Sequence, residues 1–167
     1  STLTTPDPDF LHKTCAKLVN HKIRYLALEA SSHGLAQYRL EGLNIDVAGF
    51  TNFSRDHLDY HGSMDTYFNQ KKRLFSDLLV QNGIAVLNAD IKENHEIKKL
   101  CLSRGNPVFS YGYNGEDLKL IDIIKENKSI RVGVIFQGNY INFQTSLIGD
   151  FQIMNLLELQ KKDIMSL

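Results

Sequence analysis

The fold of this chain is indicated most directly by residues 47–62, which read VAGFTNFSRDHLDYHG. The first four residues form a short apolar run of the kind found in a buried strand. They lead into a loop that carries two histidines, two aspartates and an arginine. Ligands of open α/β sheets bind just beyond the carboxyl ends of the strands. The stretch therefore predicts both a sheet of this type and a candidate binding loop at its edge.

The composition is that of an ordinary globular domain. The chain has 167 residues, 43% hydrophobic and 23% charged, and Lys+Arg and Asp+Glu balance at 19 each. This balance argues against a general nucleic-acid surface, which needs a basic excess. No run is long enough for a transmembrane helix and no signal peptide is recognisable, so we expect a cytoplasmic protein without membrane insertion. Cys15 and Cys101 lack metal-type spacing and are expected to be reduced thiols.

Helical and strand-like segments alternate through the first two thirds of the chain. Such alternation predicts an α/β fold with a mostly parallel sheet flanked by helices. Ser63 can cap the third helix, and Gln81-Asn82-Gly83 is expected to end it. Helices are predicted over residues 8–22, 35–40, 63–80 and 93–103, and strands over 24–30, 46–53, 84–88 and 107–112.

The pattern changes after Gly115. Three strand-like runs, 118–125, 129–137 and 140–147, are separated by Asn-Lys and Gly-Asn turns, which predicts a small antiparallel β appendage. A helix is expected from residue 149. We therefore predict an α/β core over 1–114, the appendage over 115–148 and a helix returning to the core within 149–167.

The end of the first predicted strand carries a carboxylate. Glu29 closes the strand and is followed by Ala30-Ser31-Ser32-His33-Gly34. A carboxylate with nearby hydroxyls suits a hard cation such as Mg²⁺, or an anionic ligand. In the alternative reading, Glu29 points outward and Ser31 merely caps the next helix. A serine hydrolase is disfavoured because the G-x-S-x-G elbow is missing.

The histidines of the opening stretch are a second candidate. His57 and His61 are four residues apart, but Leu58 stands where a zincin helix requires Glu. Because Asp56 and Asp59 lie beside His57 at a strand end, we expect His57 to bind a metal or a phosphate.

Lys71 is the third candidate, because of its helical phase. It falls on the apolar stripe of the predicted helix, three residues after Phe68 and three before Leu74. A lysine that faces inward loses hydration, so its pKa should fall and its neutral amine could add CO₂ to form a carbamate. Snorkelling at the edge of the stripe is the structural alternative.

Taken together, these stretches resemble the central ATP-binding domain of the Mur ligases of peptidoglycan synthesis, which is P-loop NTPase-like. Within that family the likeness is to the ligases that add a diamino acid to UDP-MurNAc-L-Ala-D-Glu. It is strong from Thr4 to about Asp90 and weak thereafter until residues 147–151 and Asn155. The matching stretches are 3–6 (LTTP), 28–35 (LEASSHGL) with Gln37 and Arg39, 51–62, and 67–75 around Lys71.

The resemblance implies a role for each matching residue. Glu29 and His57 match magnesium ligands, and Lys71 matches a lysine that is carbamylated in the family and helps to place the second Mg²⁺. Asn155 matches an asparagine near the adenine of ATP. The positions that match residues holding the UDP-MurNAc-dipeptide are Thr4, Thr5, Ser31, Gln37 and Arg39.

The resemblance also implies a reaction and its setting. The γ-phosphoryl group of ATP passes to the D-Glu carboxylate, and the amine of a diamino acid, meso-diaminopimelate or L-lysine, then attacks the acyl phosphate. The enzyme is expected to be a bacterial, cytoplasmic and monomeric ligase that contributes to the cell wall, cell shape and cell division.

Two departures from the family pattern limit this expectation. No G-x-x-x-x-G-K-[ST] loop occurs in the 167 residues, and Gln152 replaces the first asparagine of the family's Gly-x-Phe-Asn-x-x-Asn pattern. The family's C-terminal domain is also not matched, so we expect a fragment that is inactive by itself. The alternatives are another Mur ligase or a folylpolyglutamate synthase relative, a non-catalytic binding remnant, and a metal-dependent hydrolase using His57, Asp59 and His61.

Overall fold

The computed structural model describes residues 4–53, 62–127, 129–146 and 150–159. The helices are α1 (Pro8–Asn20), α2 (Ser32–Ala36), α3 (Met64–Arg73), α4 (Asn94–Ser103) and α5 (Asp150–Leu159). The strands are β1 (Ile45–Phe50), β2 (Leu79–Asn88), β3 (Val108–Gly112), β4 (Leu118–Lys125), β5 (Ile130–Phe136) and β6 (Asn139–Thr145).

The six strands form one sheet in the order β1-β2-β3-β4-β5-β6. Strand β2 pairs in parallel with β3, with Ala85 opposite Val108, and α4 provides the crossover between them. Strand β3 pairs in parallel with β4 through Tyr111 and Gly112 only. The pairs β4–β5 and β5–β6 are antiparallel. The predicted α/β class is confirmed, and the three strands expected after Gly115 form at the end of this same sheet.

The chain divides into two compact units. The first contains the described residues of Ser1–Ile45 and Arg55–Val80, and the second those of Asp46–Ser54 and Gln81–Leu167. The core of the second unit lies on the sheet, where Ile153 and Leu157, one helical turn apart on α5, pack against buried residues of β2 to β5. The domain boundaries predicted at 114/115 and 148/149 stay predictions.

The predicted helix over 63–80 is wrong at its C-terminal end. Ser63 caps the helix as expected, since its hydroxyl accepts a hydrogen bond from the backbone N–H of Thr66 at 3.1 Å. The α-helix ends at Arg73, continues as a π-helical turn over Leu74–Leu78, and gives way to β2 at Leu79. The prediction that Gln81-Asn82-Gly83 ends the helix is therefore wrong, because these residues lie within β2. Asn82 takes the left-handed conformation (φ +66°) inside the strand, which asparagine tolerates better than most residues.

The predicted strand over 24–30 is also wrong. This segment joins no sheet in the part of the chain that the structure describes, and Arg24, Tyr25 and Leu26 are exposed. An apolar run can indicate an extended segment, but a strand also needs a neighbour that accepts and donates its backbone hydrogen bonds. That neighbour could not be read from the run itself.

Among the described residues, every helix is too short or too polar to cross a membrane.

Candidate active site

The first unit contains a buried hydroxyl cluster centred on Thr5. Thr5 is 0% exposed, and its hydroxyl donates a hydrogen bond to the carbonyl of Glu29 at 2.7 Å. The same oxygen accepts from the backbone N–H of Ser31 at 2.9 Å and lies 2.9 Å from the Ser31 hydroxyl. Thr5 therefore fixes the backbone on both sides of Ala30 and leaves the Glu29 side chain exposed. One hydroxyl thus sets the position of two candidate site residues.

Ser31 is the N-cap of α2, so the prediction that it caps the next helix is confirmed. Its hydroxyl accepts from the backbone N–H of Gly34 at 3.1 Å. Gly34 packs directly on Thr5: a Cβ atom at residue 34 would lie 2.7 Å from the Thr5 Cβ. Since this distance is far below ordinary contact, only glycine fits here without a shift. The cap and the close approach together bring the start of α2 onto the hydroxyl cluster.

The chain after α2 carries two more of the predicted site residues. Arg39 donates through Nε to the side-chain oxygen of Gln37 at 3.0 Å, and its Nη2 makes a second hydrogen bond to that oxygen. Its Nη1 donates to the backbone carbonyl of Thr5 at 2.8 Å. The structure thus joins Thr5, Ser31, Gln37 and Arg39 in one connected network.

Lys71 lies on α3 among buried neighbours. Tyr67, Phe68, Leu74 and Phe75 are all buried, as the predicted apolar stripe requires. The Lys71 side chain is half-buried, and its amine lies 5.4 Å from the centre of the Tyr67 ring. Burial lowers the pKa of Lys71, and attraction to the Glu29 carboxylate opposes the change only in part. The prediction of an inward-facing lysine with a lowered pKa is confirmed, and Glu29 is its charged neighbour.

Arg73 lies off the apolar stripe of α3, so the sequence did not single it out. It donates to the carbonyl of Leu35 at 2.6 Å, to Glu41 at 2.7 Å and to Asp77 at 2.9 Å. Burial lowers the pKa of Arg73, but the hydrogen bonds to Asp77 and Glu41 outweigh it and the net shift is upward. Only the i,i+4 spacing to Asp77 was visible in the sequence.

The roles predicted for Thr4, Asn155 and His57 are considered separately from this network. Thr4 is exposed. Asn155 is exposed on α5 in the second unit, and His57 lies outside the described residues. Within the described ranges, no three His, Cys, Asp or Glu side chains are grouped so as to hold a metal ion. The roles of these residues stay predictions.

The chain matches the family described as the Mur ligase middle domain over residues 1–158. It is 42% identical over 158 residues to the UDP-N-acetylmuramoyl-L-alanyl-D-glutamate--2,6-diaminopimelate ligase of Anaplasma marginale (strain St. Maries), covering 94% of this chain and 33% of the relative. It is also 42% identical over 167 residues to the ligase of the same name from Rickettsia bellii (strain RML369-C), covering 93% of this chain and 32% of the relative. The chain thus spans about a third of the length of the curated relatives that it matches.

Solved structures of ligases are also similar to this chain. A UDP-N-acetylmuramoyl-L-alanyl-D-glutamate--2,6-diaminopimelate ligase superposes with a TM-score of 0.85 at 28% identity, over 98% of this chain and 34% of that chain. The MurF ligase from Thermotoga maritima in complex with ADP gives a TM-score of 0.62 at 18% identity, over 80% of this chain and 30% of its own. The apo form of the L. casei FPGS gives 0.56 at 12% identity, over 91% of this chain and 42% of its own. The last two likenesses show the fold alone.

Proposed function

The chain belongs to the Mur ligase family, and on that premise we propose that it is the central part of an ATP-dependent ligase that adds a diamino acid to UDP-MurNAc-L-Ala-D-Glu. The relatives at about 42% identity bear the name of that activity. The geometry that supports the proposal best is the neighbourhood of Glu29 and Lys71, an exposed carboxylate close to a half-buried amine. Both residues belong to the compact unit that also holds the Thr5–Ser31–Arg39 network.

A magnesium ion fits the chemistry of these side chains when Lys71 is carbamylated. Mg²⁺ prefers oxygen ligands and retains several waters, so one or two carboxylates suffice to hold it together with substrate phosphates. Glu29 offers an exposed carboxylate, whereas a protonated Lys71 would repel the ion. A carbamate on Lys71 replaces that positive charge with a second carboxylate-like group. We therefore assign Glu29, a carbamylated Lys71 and His57 as the residues that would hold magnesium.

The ion would neutralise the charge that develops on the phosphoryl oxygens during transfer. Carbamate formation requires a neutral amine, and the burial that lowers the Lys71 pKa supplies one more readily than a surface lysine would. The Tyr67 ring lies 5.4 Å from that amine, and the apolar residues of the helical stripe are buried.

We assign the residues of this network, together with Thr4, to binding or positioning the nucleotide-sugar peptide. Ser31, Gln37, Arg39 and the exposed Thr4 offer hydroxyl, amide and guanidinium groups, the types that hold diphosphates and carboxylates. Thr5 has its hydroxyl engaged by Glu29 and Ser31 and is fully buried, so it supports these groups from behind. We assign Asn155 to the adenine side of the ATP site.

The proposed reaction proceeds in two steps. The γ-phosphoryl group of ATP is transferred to the D-Glu carboxylate, which releases ADP. The amine of the diamino acid then attacks the acyl phosphate, and phosphate leaves as the amide forms. We further propose that the whole enzyme acts in the bacterial cytoplasm as a monomer, in cell-wall synthesis that supports cell shape and division.

The test is a ligation assay with the natural full-length protein that contains this chain. It is supplied with ATP, Mg²⁺ and UDP-MurNAc-L-Ala-D-Glu, and with meso-diaminopimelate or L-lysine in separate reactions. We expect ADP release matched by UDP-MurNAc-tripeptide with one of the two amino acids. Hydrolysis of the dipeptide substrate, or ADP release without a new amide, would contradict the proposal. Lys71→Ala should abolish the tripeptide, and Lys72→Ala, its neighbour off the apolar stripe, should not.

A further inference from the structure

We infer that Arg73 is a positioning residue for substrate binding: it fastens the segment 35–41, which carries Gln37 and Arg39, to the helix that carries Lys71. The inference rests on the proposed function, because Gln37 and Arg39 are assigned there to the nucleotide-sugar peptide. Arg73 lies within the matching stretch 67–75, but it is off the apolar stripe and the family resemblance gave it no role.

The guanidinium of Arg73 contacts the 35–41 segment at three places. Nη1 donates to the carbonyl of Leu35 at 2.6 Å, and Nη2 donates to the carboxylate of Glu41 at 2.7 Å. Between these two points the guanidinium lies over the Tyr38 ring in a cation–π contact, with Cζ 4.1 Å from the ring centre. Gln37 and Arg39 lie on either side of Tyr38 in the sequence. One side chain thus holds the segment at both ends and in the middle.

The fourth contact fixes Arg73 itself. Its Nε donates to Asp77 at 2.9 Å, across one turn of the α3–π-helical segment. All three guanidinium nitrogens are therefore used, and the Arg73 side chain is only 18% exposed. A lysine has neither the planar fork nor the flat face that these contacts need, although it carries the same charge.

The backbone conformation of the 35–41 segment is an independent reason to expect that it needs the contact with Arg73. Tyr38 has φ +57°, in the left-handed region that a bulky residue rarely adopts. Conformations of this kind persist only where surrounding contacts enforce them. The cation–π contact of Arg73 with the Tyr38 ring is such a contact. The strained residue sits between the two side chains that the substrate site uses.

Other contacts keep the segment folded when Arg73 is changed. Leu40 is 1% exposed, and His12 hydrogen-bonds to the Glu41 carbonyl at 3.0 Å. Arg39 remains bound to the carbonyl of Thr5. Loss of Arg73 should therefore loosen the placement of Gln37 and Arg39 without unfolding the unit.

The first test measures ligation kinetics in the natural full-length protein. Arg73→Lys and Glu41→Gln should each raise the KM for UDP-MurNAc-L-Ala-D-Glu roughly tenfold, since each removes a charge-assisted contact, and should leave kcat and the KM for ATP within about twofold. The double variant should be no worse than either single one, because both changes break the same link. Asp9→Ala removes an exposed ion pair with Lys13 on α1, 2.7 Å long, and should change neither constant.

The second test needs no ligase activity and uses the 167-residue chain. In NMR spectra, Arg73→Lys should shift the side-chain N–H resonances of Gln37 and Arg39, and Asp9→Ala should not. Unshifted resonances in a folded Arg73→Lys chain, or an unchanged KM for the dipeptide substrate, would overturn the inference. If Arg73→Lys fails to fold, the same two readouts on Glu41→Gln decide. If the unmodified full-length protein does not catalyse ligation, the proposed function is contradicted. The NMR experiment would still test whether Arg73 positions Gln37 and Arg39.

Discussion

The amine of Lys71 lies close enough to the carboxylate of Glu29 to be attracted by it, although the two residues are far apart in the sequence. Burial lowers the pKa of Lys71 more than this attraction raises it. Glu29 itself is exposed, and its backbone is held by Thr5. The pair therefore brings an amine with a lowered pKa close to an accessible carboxylate whose backbone is held by Thr5. This combination suits a site in which CO₂ is added to the amine and the product binds a cation with Glu29.

The 167-residue polypeptide should not catalyse ligation by itself. It contains no G-x-x-x-x-G-K-[ST] loop, and backbone amides and a lysine from such a loop position the phosphates in phosphoryl transfer. The measurement is mass spectrometry of a reaction with ATP, Mg²⁺, UDP-MurNAc-L-Ala-D-Glu and either diamino acid. Any ATP-dependent UDP-MurNAc-tripeptide above the level of a protein-free control would contradict this expectation.

Thr5→Val should destabilise the chain by ~1–3 kcal/mol, because the carbonyl of Glu29 and the N–H of Ser31 lose their shared partner, the buried Thr5 hydroxyl. Thr5→Ser keeps the hydroxyl and should cost less. Thr14→Val, at a half-buried position on α1, is the matched control. Urea unfolding monitored by circular dichroism gives the free energies. Equal losses for Thr5→Val and Thr14→Val would show that the hydroxyl cluster does not stabilise the fold.

Gly34→Ala should destabilise the chain by ~1–3 kcal/mol through overpacking. The added methyl would meet the Cβ and Cγ2 of Thr5 at 2.7 Å and its hydroxyl oxygen at 2.8 Å. In a Thr5→Gly background all three atoms are gone, so the extra cost of Gly34→Ala should largely disappear. The two changes are measured singly and together by urea unfolding. Simple additivity would mean that the cost arises elsewhere.

Cys101 should make the stability of the chain fall at alkaline pH. Burial raises the pKa of its thiol from 9.0 to about 11, with a smaller opposing effect of Arg104. Below pH 9.0 the thiol is protonated in both states; above it the unfolded chain releases the proton first. The free energy of unfolding should therefore decrease as the pH rises from 9.0 towards 11. Cys101→Ala should remove this part of the decrease, whereas Cys15→Ala, at a half-buried thiol, should retain it. A decrease of equal size in both variants would contradict the assignment.

Much of the fold could be predicted from the sequence, because its periodicities are local. The three strands after Gly115 and the apolar stripe through Tyr67, Phe68 and Phe75 follow from periods of two and 3.6 residues. The secondary-structure predictions were wrong where pairing with another strand, and not the local pattern, decides the conformation. Residues 24–30 join no sheet within the described ranges, and Leu79 enters β2 instead of continuing the helix. Apolar residues occur at both positions whichever conformation the chain adopts, so the sequence pattern alone did not separate strand from loop at 24–30, or helix from strand at Leu79.

The candidate site was predictable where a residue stands out against its own element. Lys71 interrupts an apolar stripe, and Glu29 ends an apolar run. Contacts between residues distant in the sequence could not be recognised from the local sequence pattern. The support of Glu29 and Ser31 by the Thr5 hydroxyl, and the three contacts of Arg73 with the 35–41 segment, join residues distant in the sequence. Nothing in the local pattern around Arg73 shows that its partners are Leu35, Tyr38 and Glu41.

The most direct measurement of the proposed site is ¹³C NMR of the chain equilibrated with ¹³C-labelled bicarbonate and then freed of excess label. A carbamate on Lys71, with its lowered pKa, should give one persistent carbamate resonance. That resonance should vanish in Lys71→Ala, survive in Lys72→Ala, and shift on addition of Mg²⁺ if Glu29 and the carbamate bind the ion together. No persistent carbamate resonance, or one that remains in Lys71→Ala, would contradict the assignment of Lys71 to the magnesium site.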